Sequence, residues 1–258
     1  RTKSRADTLI ANGATWADSP AEVAQGADVL ITMVAHPEAV SELALSENGF
    51  LDALQPGSLW MDCSTVNPSF SRQMAAAAQA KNIHFLDAPV AGSKGAAEGA
   101  QLRFIVGGAE EDIQTAQPLF DAMGSGVLHI GENGMGSSMK VVINYLLATA
   151  MLSFAEGMAL GESLGIPQQR LLDGLLPLPV VAPTVERKRE RMESGEYPAD
   201  FPLQWMQKDL QLAAVTAYET GIALPMGNAA KEAYRMAMRS GWGEADFSAI
   251  YQFLVDEK

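Results

Sequence analysis

The chain has 258 residues, of which 48% are hydrophobic and 19% charged, a composition typical of a soluble globular protein with one large or two modest domains. Its formal net charge is −13, from 18 basic and 31 acidic residues. Because no basic stripe offsets this charge, the sequence argues against a nucleic-acid partner. The single cysteine excludes a disulfide framework and fits a reducing compartment.

The longest apolar run, residues 145–155, is too short to cross a bilayer and ends at Glu156, so no membrane partner is expected. The chain does not begin with methionine. The single cysteine and the short apolar runs lead us to expect a cytoplasmic protein. Because upstream residues are expected, targeting to an organelle by an upstream peptide is left open.

The first half of the chain alternates apolar runs with helical segments. A helix is predicted over residues 1–12, and a second one begins at Pro20, with Ser19 as its cap and Glu22 three residues after the cap. Buried strands are predicted at residues 29–34, 59–63, 83–87, 101–106 and 127–130. Further helices are predicted at residues 37–45, 68–80 and 110–123. This alternation predicts an α/β fold, a Rossmann-like doubly wound parallel sheet.

The last predicted strand enters a glycine-rich turn, residues 131–136, that leads into a long helix. Ser137 and Ser138 offer N-cap chemistry for about seven helical turns. Lys140 is then placed in the first turn, and Asn144 lies one turn further on the same face. Beyond Asn144 the helix is apolar on all sides, which indicates a buried helix.

No convincing strand follows residue 131, so the second half is predicted to be all-α. We accordingly divide the chain into a dinucleotide-binding Rossmann-like domain, residues 1–136, and an all-α substrate and oligomerisation domain, residues 137–258. Doubly wound sheets bind ligands beyond the carboxyl ends of their strands. The loops at residues 34–37, 64–65 and 89–93 follow such ends, so the topology predicts a site along one sheet edge.

Other polar features have simpler interpretations. His36, His84 and His129 have no ligand spacing, so no metal site is predicted. Cys63 is interpreted as a small buried residue rather than a nucleophile. The run ERKRER, residues 186–191, alternates in sign and is interpreted as a solvated helix face. Methionines that follow the long helix are assigned to core packing, namely Met135, Met139, Met151 and Met158.

Four motifs occur in an order that resembles the β-hydroxyacid dehydrogenase family, which includes 3-hydroxyisobutyrate dehydrogenase and the glyoxylate/succinic semialdehyde reductases. They are DCSTVNP (62–68), DAPVAGSKGAAEGAQL (87–102), GMGSSMKVVIN (134–144) and FPLQWMQKDLQLA (201–213). Three shorter segments are most similar to the reductase branch, namely GSK (92–94), YPADFPL (197–203) and EADFSAI (244–250).

The resemblance implies a glycine-rich dinucleotide fingerprint upstream of Arg1. The sequence contains no such turn at its start, and the turn at residues 131–136 has a different spacing, G-x-x-G-x-G. We interpret that turn as positioning the Lys140 helix. The N-terminal part of the Rossmann-like domain, roughly the first thirty family residues, is therefore expected to be missing from this sequence.

The resemblance also implies the roles of individual residues. Lys140 matches the catalytic lysine, which exchanges a proton with the substrate oxygen, and both burial and the helix dipole would lower its pKa. Asn144 matches the substrate-holding asparagine. Gly92 and Ser93 match the loop that binds the substrate carboxylate, although Ala91 stands where the family usually has serine.

Further matches complete the implied site. Phe201 and Asp209 match residues beside the substrate. Thr65 and Lys208 match family residues at the nicotinamide end of the cofactor, and Arg1 and Thr2 match the position after the second family strand. Val34 and Ala35 are also assigned to cofactor binding, since they lie in a loop at the carboxyl end of a predicted strand. An arginine at that position suits a 2′-phosphate, so NADP is preferred and NAD remains possible.

The sequence therefore predicts an NADPH-dependent reductase of small aldehyde acids, with glyoxylate and succinic semialdehyde as first candidates and Lys140 as general acid. One alternative is a 3-hydroxyisobutyrate-type dehydrogenase that oxidises a small β-hydroxy acid. Another is a non-catalytic ligand-binding protein that keeps the fold. The expected partners are a small carboxylate substrate and further copies of the chain, in a homodimer or homotetramer.

Overall fold

The computed structural model describes residues 2–256, and its first half is a six-stranded sheet covered by helices. The strands are β1 (Val29–Thr32), β2 (Leu59–Asp62), β3 (His84–Asp87), β4 (Val90–Ala91), β5 (Leu102–Gly107) and β6 (Gly124–Gly131). The helices of this half are α1 (Asp7–Ala11), α2 (Pro20–Ala24), α3 (Pro37–Leu45), α4 (Pro68–Gln79), α5 (Lys94–Glu98) and α6 (Glu110–Met123). The predicted Ser19 cap is confirmed, since its hydroxyl accepts from the Glu22 N–H at 3.1 Å.

The sheet is mixed, whereas the sequence predicted a parallel one. Strands β1, β2 and β3 are parallel neighbours, and β5 is parallel to β6. Strand β5 nevertheless runs antiparallel to β3 and β4. A parallel pairing needs a crossover of about a dozen residues or more, usually a full helix. The connection from β4 to β5, residues 92–101, contains only the five-residue helix α5, so the chain returns antiparallel.

The helical half is built around α7 (Met135–Ser163). It also contains α8 (Gln168–Leu175), α9 (Pro183–Glu186), α10 (Arg189–Ser194), α11 (Leu203–Thr220), α12 (Pro225–Ala237) and α13 (Ile250–Asp256). Met151 and Met158 are 1% and 0% exposed in the core of this half, as predicted, whereas Met135 is 41% exposed at the helix start. The α/β half followed by a helical half confirms the predicted fold class.

By length and composition α7 resembles a membrane-crossing helix, but 50% of its most apolar window is buried inside the protein. A core helix of a soluble protein has the same properties. The helix begins at Met135, before both predicted cap residues, and runs on through Gly157 to Ser163. Ser137 and Ser138 therefore lie inside it, and the prediction that they cap it is wrong.

The interpretation of residues 186–191 as a solvated helix face holds for the exposed Glu186, Arg187 and Glu190 but is wrong for Lys188. Lys188 is 7% exposed, and its ammonium lies 2.9 Å from the carboxylate of Asp246, which is 0% exposed. Arg191 pairs with Asp200 at 2.7 Å. The alternating charges of this run thus include a buried ion pair, because acidic partners from distant parts of the chain pack against it.

Candidate active site

A cleft of about 860 Å³ lies beyond the carboxyl ends of β1 and β2 and is also lined by α7, α9 and α11. The structure brings ten of the predicted site residues to its walls. These are Val34, Ala35, Thr65, Gly92, Ser93, Lys140, Asn144, Phe201, Lys208 and Asp209. Thr2 is exposed and does not line the cleft, and Arg1 lies outside the described residues.

The start of α7 is held by a buried carboxylate that sequence reasoning missed. Asp87, at the end of β3 and 1% exposed, accepts from the backbone N–H groups of Gly134 at 2.7 Å and Ser137 at 2.8 Å. Burial raises the pKa of Asp87 to about 6, although these hydrogen bonds favour its charged form. The available signal was the position of Asp87 at a strand end, but its partners lie far along the chain.

Close packing against the sheet also requires glycine at position 136. A Cβ there would lie 2.5 Å from the carbonyl oxygen of Ile105 and 2.6 Å from that of Asp87. The helix backbone therefore rests directly on β3 and β5, and this contact fixes where its next turn points.

Lys140 is half-buried in the second turn of α7 and faces the cleft. Burial lowers the pKa of its ammonium, Asp209 opposes that shift, and Lys208 reinforces it. The pKa of Lys140 is therefore shifted in the predicted direction. The helix dipole contributes little to this shift, since its effect falls off within the first turn. An ammonium with a lowered pKa is suited to exchanging a proton with a bound substrate.

Asn144, Asp209 and Lys208 form a connected polar group beside Lys140. The Asn144 side-chain amide is 2% exposed and donates to Asp209 Oδ2 at 2.5 Å. The other oxygen of this buried carboxylate, Oδ1, lies 2.8 Å from Lys208 Nζ, in an ion pair without hydrogen-bond geometry. The bond to Asp209 fixes the orientation of the Asn144 side-chain amide and uses one of its two N–H groups. The carbonyl oxygen and the second N–H of this amide do not bond to Asp209.

Lys208 also joins the two halves of the chain. Its ammonium, carried by α11, donates to the carbonyl oxygens of Ala35 and Thr65 at 2.9 Å each. These carbonyls follow β1 and β2. One cation from the helical half thus ties together both loops at the carboxyl edge of the sheet.

The Gly92–Ser93 loop forms an exposed wall of the cleft. Gly92 has φ +125°, a conformation that favours glycine, and a Cβ there would lie 2.9 Å from the Ala96 side chain. Ser93 precedes α5, and its hydroxyl makes no capping bond. Ala91 lines the cleft at the position where a family serine was expected, so a methyl group replaces that hydroxyl.

A second buried carboxylate belongs to Asp62, the last residue of β2, which is 1% exposed. Its Oδ1 accepts from the Thr32 hydroxyl at 2.8 Å and from the Ser64 N–H at 3.0 Å. The Ser64 hydroxyl in turn accepts from the Val34 N–H at 3.0 Å. Burial raises the pKa of Asp62 and, to about 12, that of Cys63, so the thiol is not a ready nucleophile.

The histidines have local structural partners. His36 caps α3 by accepting from the Ala39 N–H, His84 lies 2.7 Å from Asp112, and His129 contacts backbone carbonyls. Within residues 2–256, no group of three or more histidine, cysteine, aspartate or glutamate side chains is arranged to hold a metal ion.

Two protein families match this chain, each over a different segment. Residues 1–131 match the family described as the NAD binding domain of 6-phosphogluconate dehydrogenase. Residues 134–254 match the family described as NAD-binding of NADP-dependent 3-hydroxyisobutyrate dehydrogenase.

Individual relatives align over nearly the whole chain. An NAD-dependent L-serine dehydrogenase of Pseudomonas aeruginosa is 38% identical over 96% of this chain and 86% of its own length. Glyoxylate/succinic semialdehyde reductase 2 of Arabidopsis thaliana, a chloroplastic protein, is 35% identical over 100% of this chain and 72% of its own. The structure of Mycobacterium tuberculosis 3-hydroxyisobutyrate dehydrogenase with L-serine has a TM-score of 0.88 at 30% identity, over 98% of this chain and 88% of that one.

These matches agree with the resemblance given by the four ordered motifs. The names of the relatives give different small hydroxy or aldehyde acids as substrates. NAD appears in the name of the serine dehydrogenase, and NADP appears in the description of the second family. The chain belongs to the 3-hydroxyisobutyrate dehydrogenase-like β-hydroxyacid dehydrogenases, which are NAD(P)-dependent oxidoreductases acting on CH–OH groups.

Proposed function

We propose that this enzyme reduces small aldehyde acids, glyoxylate and succinic semialdehyde first, to hydroxy acids with NADPH. The observation that carries the proposal is the half-buried Lys140 ammonium in the cleft, one helical turn from the fixed amide of Asn144. The similarity to the Arabidopsis reductase supports an aldehyde-acid substrate.

The chain's own residues then perform three tasks. Lys140 gives a proton to the carbonyl oxygen as negative charge develops on it. Asn144, oriented by Asp209, holds the same oxygen or its neighbour by hydrogen bonding. Backbone N–H groups of the loop at Gly92 and Ser93 bind a substrate carboxylate that is bonded directly to the reacting carbon, as in glyoxylate, since glycine allows a close approach of the anion.

The cleft fits the nicotinamide end of a dinucleotide. Val34, Ala35 and Thr65 line it at the carboxyl ends of β1 and β2, where such sheets bind ligands, and Lys208 fixes these loops. When bound, the nicotinamide supplies the hydride. NADP is proposed over NAD because, by the resemblance, Arg1 and Thr2 match the family position that follows the second strand, where an arginine suits a 2′-phosphate.

The test is steady-state kinetics on the full-length protein, following loss of the reduced-nicotinamide absorbance. We expect turnover of glyoxylate or succinic semialdehyde with NADPH, and a higher kcat/KM with NADPH than with NADH. L-serine and 3-hydroxyisobutyrate are assayed in the oxidative direction. Oxidation of L-serine with NAD and no reduction of either aldehyde acid would replace the proposed substrate class with that of the Pseudomonas relative.

We also infer that the protein forms a homodimer or homotetramer through α7. Val142 and Leu160 share one face of this helix and are 52% and 62% exposed. Exposed large apolar side chains on one face of a long helix are typical of subunit interfaces. Light scattering after size exclusion is expected to give a multiple of the chain mass, and Leu160→Glu is expected to lower it. A monomeric wild type would contradict the inference.

A further inference from the structure

Arg187, which follows α9, lines the cleft and has no assigned role. Within the described part of the chain its guanidinium forms no hydrogen bond or ion pair. The neighbouring basic residues are all paired: Lys188 with Asp246, Arg189 with Asp173, and Arg191 with Asp200. Among these four cations, only Arg187 has its charge available to a ligand.

The pairing of the charged side chains in the cleft also leaves Arg187 without an assigned partner or role. Four basic side chains and two acidic ones line the walls, although the whole chain carries a net charge of −13. The acidic side chains are Asp200, which pairs with Arg191, and Asp209, which pairs with Lys208. Lys188 forms an ion pair with the buried carboxylate of Asp246. The remaining cations are Lys140, assigned to proton transfer, and Arg187.

Arg187 is an exposed residue of the cleft wall, whereas Lys140 is half-buried and Asn144 is buried. A substrate whose aldehyde group is held at Lys140 and Asn144 extends away from these two groups, towards the more exposed wall that includes Arg187. In a two-carbon aldehyde acid the carboxylate is bonded directly to the aldehyde carbon. In a four-carbon acid two methylenes separate the groups, and the carboxylate extends outwards.

We propose that Arg187 is a specificity residue that binds the remote carboxylate of longer aldehyde acids. An arginine fork forms paired, charge-assisted hydrogen bonds with a carboxylate, and this unpaired guanidinium needs no internal partner to be displaced first. Four-carbon substrates of the succinic semialdehyde type use this contact. Glyoxylate is held by the Gly92–Ser93 loop instead. The inference rests on the proposed function and assigns the chain-length preference to one side chain.

The test compares two substrates in Arg187→Gln, Arg187→Lys and wild type. In Arg187→Gln, kcat/KM for succinic semialdehyde is expected to fall on the order of 10- to 100-fold, mostly through KM, since a charged hydrogen bond is lost. For glyoxylate it is expected to stay unchanged. Arg187→Lys is expected to recover part of the loss, because it keeps the charge but not the fork.

Arg239→Gln is the matched control, since it removes an exposed arginine outside the cleft, and both substrates should keep wild-type kinetics. Equal losses for both substrates in Arg187→Gln, or no loss for either, would overturn the role of Arg187. Turnover of either aldehyde by wild type would still support the proposed function. Wild type that reduces neither aldehyde contradicts the proposed function. In that case, binding of 4-hydroxybutyrate to wild type and Arg187→Gln by calorimetry tests Arg187 separately. A weaker affinity in the variant supports it, and equal or absent binding refutes it.

Discussion

Lys140→Met is expected to lower kcat on the order of 10²- to 10⁴-fold, the usual contribution of a positioned general acid. Methionine keeps much of the lysine's length and apolar stem but cannot donate a proton. Affinity for NADPH, measured by fluorescence titration, should change little, because the ammonium acts on the substrate oxygen. The two measurements together separate loss of chemistry from loss of the site.

Lys81→Met provides the control, because Lys81 is 53% exposed, pairs with Asp52 and lies outside the cleft. It should keep wild-type turnover. If Lys140→Met also kept wild-type turnover, another group would have to supply the proton, and the assignment of Lys140 as general acid would be wrong.

The same assignment fixes the sign of the pH dependence. Burial lowers the pKa of Lys140 from 10.5, so its protonated fraction decreases at a lower pH than for a free lysine. Reduction needs the ammonium, and its kcat/KM is expected to fall as pH rises through the lowered pKa. Oxidation needs the neutral amine and should rise over the same range. A reduction rate that stays flat up to pH 10.5 would contradict this.

The sequence predicted local structure well because the relevant signals are local. Strand positions follow from short β-branched runs such as residues 29–34, and the helix beginning at Pro20 follows from the cap at Ser19. Strand direction is a tertiary property. It depends on the short connection between β4 and β5, which the apolar pattern of each strand does not reveal.

Long-range pairing accounts for what the sequence did not predict at the site. Ser137 and Ser138 have the residue types of helix caps, yet the carboxylate that holds the start of α7 belongs to Asp87, about fifty positions earlier in the chain. Likewise, Lys188 is in a run that is polar by composition, but Asp246 becomes its buried partner only after folding. Residue types near the motifs were identified, whereas partners brought in by packing were not.

Removing one partner of the buried Lys188–Asp246 pair should therefore be strongly destabilising. Lys188→Met is expected to lower the free energy of unfolding by about 3–5 kcal/mol, because Asp246 remains buried without its counter-charge. The same carboxylate accepts from the backbone N–H groups of Asp200 and Phe201, so the Phe201 wall of the cleft should loosen and KM should rise. Urea denaturation monitored by circular dichroism gives the stability. Lys81→Met, at an exposed pair, serves as control and should lose little.

The free energy of unfolding lost in Lys188→Met is expected to be largest at neutral pH and smaller in acid. Burial would raise the pKa of Asp246, but the Ser248 hydrogen bonds and Lys188 lower it below 3.8 overall. A carboxyl with a lowered folded pKa contributes stability above its unfolded pKa, and that contribution is lost as pH falls through the folded value. In Lys188→Met the pKa of Asp246 rises, so protonation relieves the unpaired charge. The difference in unfolding free energy between wild type and variant should be full at neutral pH and should shrink on acidification. A difference that is constant down to pH 3.8 would assign the loss to packing of the lysine stem and not to the buried charge.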